Sequence, residues 1–156
     1  MQEEGLPRLP EFADPRQKLI LIVDDDESLL DLLEHMVKRE GFRCERASDG
    51  QEALRKVEER TPDLIVLDFM LPGIGGYEVV KELQMGEARG VPVVIITGRR
   101  IDRQTADMIR EESNVIDFVE KPVRPAVFGP GLHRILKTRP PEACRTAVRG
   151  PLASSW

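Results

Sequence analysis

Residues 64–73 read LIVLDFMLPG, and the reading of this stretch decides the fold. Four apolar residues, Leu64 to Leu67, run unbroken into one carboxylate, Asp68, and a turn follows at Pro72-Gly73. A short apolar run with no polar alternation is covered on both faces, as the central strand of a parallel sheet is. A carboxylate at the end of such a strand must find partners, because burying a lone charge is costly.

Outward from this stretch the pattern repeats. LILIV (19–23) is a second wholly apolar strand, followed by Asp24, Asp25 and Asp26; VPVVIITG (91–98) is a third, ending at Thr97. FRCERA (42–47) and VIDFVEKP (115–122) carry charges, which places them at sheet edges. Helical segments alternate with these strands. SLLDLLEHMVKRE (28–40) has Leu29, Leu30, Leu33, Met36 and Val37 at helical spacing, with Asp26 as its cap and Gly41 as its stop. DGQEALRKVEER (49–60) opens on a capping box, Asp49 with Glu52 three residues on. GGYEVVKELQM (75–85) presents Tyr77, Val80 and Leu83, or Val79 and Leu83; DRQTADMIREE (102–112) turns Ala106 and Ile109 inward behind Asp102. Strands alternating with helices predict an α/β domain, a doubly wound five-stranded parallel sheet in the order 2-1-3-4-5, which is the flavodoxin-like arrangement.

The chain has 156 residues, 40% hydrophobic and 33% charged, which suits one globular domain with a single core. Aromatics are only 4%, so that core is aliphatic. A net charge of -5 argues against nucleic-acid binding by charge. The two cysteines, Cys44 and Cys144, lie far apart, which fits a reducing compartment and no metal site. The amino-terminal segment MQEEGLPRLPEF has no apolar core for a secretory signal, and no run approaches a membrane span, so the expectation is a cytoplasmic protein. Residues 1–17 read as a loose extension, 18–137 as the domain, and 138–156 as a mildly basic tail. Gly129-Pro130-Gly131 falls inside the last helical segment, so that helix is expected to start near Pro130 and to be shortened or displaced.

The polar exceptions to the apolar strands fall at their carboxyl ends: Asp24 and Asp25, Asp68, Thr97 and Lys121. In an open parallel sheet these ends share one edge, and ligands bind where neighbouring strands send their helices to opposite faces. Converging carboxylates repel and raise one another's pKa unless a cation intervenes. A hard divalent ion takes such oxygens, and Lys121 adds a fixed positive charge. A carboxylate beside a metal, an ammonium and a hydroxyl is suited to attack a phosphoryl group.

At these residues the chain resembles the receiver domain of two-component response regulators. The blocks LILIVDDDESLLDLLEHMVKREGF, ASDGQEAL, PDLIVLDFMLPGIGGYEVV, VPVVIITG and VIDFVEKPV stand in that family's order, from about Lys18 to Leu136. The resemblance implies that Asp68 accepts a phosphoryl group from the phosphohistidine of a sensor histidine kinase or phosphotransfer protein. Asp25, Asp68, the backbone carbonyl of Met70 and Asp24 would hold Mg2+ or Mn2+. Lys121 would pair with the phosphate, Thr97 would move toward it, Phe118 would swing inward as Thr97 moves, and the bond before Pro122 would be cis. The reader would be a downstream effector or output domain at the face of the fourth helix, fifth strand and fifth helix. The expectation is no turnover of small molecules, no direct nucleic-acid binding and no membrane, and, because the Gly129-Pro130-Gly131 break falls in the last helix, a monomer or weak dimer. A binding module that is never phosphorylated is the alternative, followed by a phosphatase with an Asp nucleophile. The latter usually has an acid two residues after the nucleophile, where Met70 stands here. Met70 and Arg99 are bulky at the pocket, which implies a long-lived phosphoryl group, and Gly98 keeps the pocket open. Cys44 reads as a small buried hydrophobe, His35 and His133 as surface residues, and Trp156 as an unplaced terminus.

Overall fold

The computed structural model describes residues 12–98 and 101–141. Five parallel strands form one sheet in the order β2-β1-β3-β4-β5. They are β1 (Leu19–Val23), β2 (Arg43–Ala47), β3 (Leu64–Asp68), β4 (Val93–Thr97) and β5 (Val115–Glu120). Between them run α1 (Glu27–Arg39), α2 (Gly50–Glu59), α3 (Gly76–Gln84), α4 (Arg103–Arg110) and α5 (Pro125–Leu136). Every residue of β1, β3 and β4 is buried, whereas β2 and β5 are largely half-exposed edges. The apolar runs therefore mark the centre and the charged runs the rims, as the sequence predicts.

Alternation along the strands divides the core in two. Ile20, Ile22, Leu64, Val66, Val94 and Ile96 pack under α1 and α5 with Leu30, Leu33, Phe128 and Leu132. Leu21, Val23, Ile65, Leu67, Val93 and Ile95 pack under α2, α3 and α4 with Ala53, Val79, Val80 and Ile109. Both faces are mainly aliphatic, consistent with the low aromatic content. The helix starts follow local chemistry. Asp26 Oδ1 accepts from Ser28 N–H at 2.9 Å, and Asp102 Oδ1 from Thr105 N–H at 2.9 Å. The capping box at α2 is complete: Asp49 Oδ1 accepts from Glu52 N–H at 2.8 Å, and Glu52 Oε1 from Ser48 N–H at 2.9 Å.

Three expectations need correction. The last helix does not wait for Pro130: it begins at Pro125 and runs through Pro130 to Leu136. The reason is orientation. Gly129 and Gly131 face the core, while Pro130 and Ala126 face solvent. The carbonyl that loses its partner to the proline ring is thus on the wet side, where water can satisfy it. The premise for a weakened helix, and with it the argument for a weakened dimer, is removed. Second, His133 is buried at 4% exposure and not on the surface. Its Nε2 lies 2.9 Å from Glu40 Oε1 at the end of α1, its Nδ1 lies 2.7 Å from Thr138 Oγ1, and its ring stacks on Phe42 at 4.8 Å. Third, the flanking segments are ordered where described. Ala13 forms a parallel bridge to Thr138, with Ala13 N–H to Lys137 C=O at 2.9 Å and Arg139 N–H to Ala13 C=O at 3.1 Å. Pro15 is buried in a single 3-10 turn. His35 is exposed, and Cys44 is half-buried, its thiol pushed up to about 12 chiefly by burial. The expectations on residues 1–11, Arg99, Cys144, Trp156 and the rest of the tail from 142 onward fall outside the described residues.

Candidate functional site

The site is assembled at the carboxyl ends of β1, β3, β4 and β5. Asp24 follows β1 directly and is 1% exposed. Its Oδ1 accepts from Asp26 N–H at 2.9 Å, so the turn into α1 fixes its rotamer. Asp68 closes β3 at 3% exposure, and its Oδ1 accepts from Met70 N–H at 3.2 Å. Asp24, Asp25 and Asp68 each offer a carboxylate oxygen, and these oxygens lie within 4.8 Å of one another. Asp25 is exposed, which leaves the group a wet side. Lys121 reaches in from the end of β5: its Nζ is 3.0 Å from Asp24 Oδ2 and 3.5 Å from Asp68 Oδ2. The Lys121-Pro122 bond is cis. Thr97 is buried at 5% exposure at the end of β4, and its carbonyl accepts from Lys121 N–H at 2.8 Å.

The electrostatics are unbalanced. Three carboxylates and one ammonium share a cluster that is buried at Asp24 and Asp68 and open to solvent at Asp25, with Lys121 in contact with the two buried acids. Burial pushes the Asp68 carboxyl above its ordinary value; the charge of Asp24 adds to this, while the Met70 N–H and Lys121 oppose it. Burial also works against the charge of Lys121, but its contacts with Asp24 and Asp68 outweigh this, and the ammonium is held above its ordinary value. Asp24 Oδ2 is buried with no aligned hydrogen bond, although Lys121 stands at ion-pair distance. Clustered hard oxygens, one of them lacking an aligned donor and one carboxylate open to solvent, fit a divalent cation of the Mg2+ type.

Of the residues singled out in the sequence, Asp24, Asp25, Asp68 and Lys121 meet by direct distance, and Thr97 borders them on the adjacent strand. Met70 turns its side chain outward at 57% exposure and contributes its backbone N–H to Asp68. Phe118 stands apart from the acids on β5, paired in register with Ile95 and half-buried against the α2–α4 core. Two glycines shape the site. A Cβ on Gly98 would approach Lys121 Cδ to 3.2 Å, so the small residue leaves the lysine stem room to lie across the pocket. A Cβ on Gly76 would come within 2.8 Å of Phe69 Cα and 2.9 Å of Asp68 C=O, so only glycine lets the turn after Asp68 fold back so closely. The signal for Gly76 was present in the sequence, as the second of two glycines opening a helix, but its neighbour across the turn was not.

Among the described residues no helix is long and apolar enough to cross a membrane. The family model described as "Response regulator receiver domain" matches residues 20–128. The alkaline phosphatase synthesis transcriptional regulatory protein PhoP of Bacillus subtilis is 38% identical over 120 residues, covering 77% of this chain and 49% of PhoP. The DNA-binding response regulator MtrA of Mycolicibacterium smegmatis is 40% identical over 113 residues, covering 72% of this chain and 47% of MtrA. The chain thus spans about half the length of these curated relatives. Among solved structures, chemotaxis protein CheY4 of Vibrio cholerae superposes with a TM-score of 0.70 at 27% identity, covering 76% of this chain and 98% of that one. A CheY-like response regulator receiver domain protein of Methanospirillum hungatei gives 0.70 at 27% identity, covering 76% and 93%. With the strand order, the acidic cluster at the sheet edge and these matches in agreement, the chain belongs to the response regulator receiver domain family.

Proposed function

We propose that this chain is a phosphorylation switch whose phosphoacceptor is Asp68. The observation that carries the reading is the meeting of Asp24, Asp25, Asp68 and Lys121 at one sheet edge. Asp68 Oδ attacks the phosphorus of a phosphohistidine; the P–O bond forms, the P–N bond breaks, and the pair returns to the imidazole, which takes up a proton. Asp24, Asp25 and Asp68, with the Met70 carbonyl, are the residues that would hold Mg2+ or Mn2+, which when bound neutralises charge on the transferring oxygens. Lys121 neutralises a further oxygen and stays charged through the reaction, since its acidic neighbours hold its proton more firmly. The Met70 N–H keeps Asp68 oriented. The product carries nearly two negative charges and three acceptor oxygens. Thr97 donates its hydroxyl to one of them, Phe118 follows Thr97 inward, and the α4–β5–α5 face changes in consequence.

The donor is a sensor histidine kinase or phosphotransfer protein, and the reader is an effector protein or output domain, in the cytoplasm. The chain turns over no small molecule: no acid stands two residues after Asp68 to protonate a leaving group, and Met70 occupies that position. The test is incubation with Mg2+ and a small phosphodonor followed by intact-mass analysis. One base-labile adduct of about 80 Da, present in the wild type and absent from Asp68→Ala, is expected. An adduct that persists in Asp68→Ala, or none in either protein, overturns the assignment.

A further inference from the structure

Arg110, in the last turn of α4, places its guanidinium carbon 4.9 Å from the centre of the Phe118 ring. This is within cation–π range, and an arginine in a final turn also sits well against the carboxyl end of its helix. The phosphotransfer chemistry makes no use of Arg110.

The end of α4 from which Arg110 projects is firmly anchored. Glu112, just beyond it, is enclosed by three side chains spaced one and two turns apart on α3. Tyr77 OH donates to Glu112 Oε1 at 3.1 Å, Lys81 Nζ lies 2.8 Å from the same oxygen, and Gln84 Nε2 donates to Oε2 at 2.8 Å. Gln84 also donates to Asn114 Oδ1 at 2.7 Å, and Asn114 Nδ2 to Val80 C=O at 3.3 Å. Ile109, next to Arg110, is wholly buried. A side chain projecting from so fixed a base loses little further freedom on stacking. The Phe118 ring is half-buried, packed inwardly on the aliphatic core and covered by Arg110. Its strand neighbour Ile95 is two residues before Thr97 on β4. If the ring moves toward Thr97, it leaves the guanidinium behind.

We propose that Arg110 is a positioning residue for the switch: its stack on Phe118 holds the ring in its present half-exposed place and biases the chain toward the unphosphorylated arrangement. This rests on the reading of Asp68 as phosphoacceptor and of Phe118 as the aromatic that moves. A contact made in one state and absent in the other shifts the equilibrium between them by its own strength, and by linkage it weakens whatever binds the other state by the same factor.

The test uses the full chain with saturating Mg2+ and beryllofluoride, a phosphoryl mimic, titrated by NMR on the amides of Thr97 and Gly98. Arg110→Gln is expected to bind beryllofluoride about two- to fivefold more tightly than wild type, the factor set by an exposed cation–π contact. Arg110→Lys, which keeps the charge but not the flat stacking surface, falls between them. In a Phe118→Leu background the Arg110→Gln effect disappears; a merely structural role for Arg110 would move the melting temperature and leave the affinities alone. Binding by the wild type with Arg110→Gln unchanged or weaker overturns this proposal and leaves the phosphoacceptor reading standing. No beryllofluoride binding by the wild type overturns both.

Discussion

Replacing Gly129 by alanine tests how the last helix is seated. In an ordinary helix interior this change stabilises by about 1 kcal/mol, because glycine carries the larger conformational entropy cost. At this position the added Cβ would lie 2.5 Å from Glu40 Oε2 and 2.7 Å from Glu40 Cδ. Those are the end atoms of a side chain, so Glu40 can swing aside without moving backbone. Swinging aside, however, breaks its contact with His133 Nε2, which is 2.9 Å long and belongs to a ring only 4% exposed. A hydrogen bond to a charged partner contributes about 1.5–3 kcal/mol. The loss exceeds the helical gain, and the net expectation is a destabilisation of about 0.5–2 kcal/mol. Urea unfolding of wild type, Gly129→Ala, Glu40→Ala and the double variant gives the cycle. Once Glu40 is gone the obstruction is gone, so Gly129→Ala in the Glu40→Ala background is expected to stabilise by about 1 kcal/mol. A single Gly129→Ala variant more stable than wild type would refute the reasoning, since the carboxylate would then not be wedged between Gly129 and His133.

Two further outcomes follow from charge. The folded state raises the Asp68 carboxyl above its ordinary 3.8, so the ionised form opposes folding; stability tied to its proton is present below that value and is lost as pH rises through the raised one. Asp68→Asn is therefore expected to melt higher than wild type at pH 7 without metal, with the gap closing below about pH 4, and Mg2+ is expected to raise the wild-type melting temperature more than that of the variant. A variant no more stable than wild type at pH 7 would show that Lys121 already offsets the burial. Glu112 is the opposite case: the Lys81 hydrogen bond, then that of Gln84, holds its carboxyl below its ordinary 4.5. Its contribution is present above that value and lost as pH falls through the lowered one, so Glu112→Gln is expected to lose about 1 kcal/mol at pH 7 and progressively less in acid. Urea midpoints at pH 7 and pH 3.5 check this, and a difference that does not shrink in acid would count against an ionic role.

What could be read in the sequence was either local or one-dimensional. LILIV, LIVL and VVII are uniformly apolar, and a strand buried on both faces has no other way to look. Asp26, Asp49 and Asp102 cap helices whose first turns lie within three residues of them. Asp24, Asp68 and Lys121 could be brought together from sequence because parallel topology aligns all strand ends at one edge. His133 could not, because its burial depends on Glu40, 93 residues away in the chain, and on the notch that Gly129 leaves for the Glu40 carboxylate. The seating of Pro130 is hidden for a related reason. The proline penalty is an average over helix interiors, and it falls where the freed carbonyl faces water. Arg110 gives no signal in the sequence, since an arginine in a final turn looks like any solvated charge until the strand it covers is placed.

These placements bear on which element can carry a signal. The carboxyl end of α5 is tied down on two sides, by His133 to Glu40 at the end of α1 and by the Ala13–Thr138 bridge that follows it. β5 is tied at its end to the site itself, through Lys121 and its pairing with Thr97. The same strand carries Phe118, and Phe118 meets Arg110 of α4. Under the proposed switch, a change in charge at Asp68 would reach the outer surface along β5, where the exposed Phe118–Arg110 stack is one of the contacts between the strand and α4, whereas at its carboxyl end α5 would have to break a buried contact to follow. Contacts that are exposed and weak are the ones a modest free energy can exchange, and buried ones are not. On the proposed reading, the surface expected to respond first is thus the α4–β5 side, with the end of α5 as the fixed wall against which it would move.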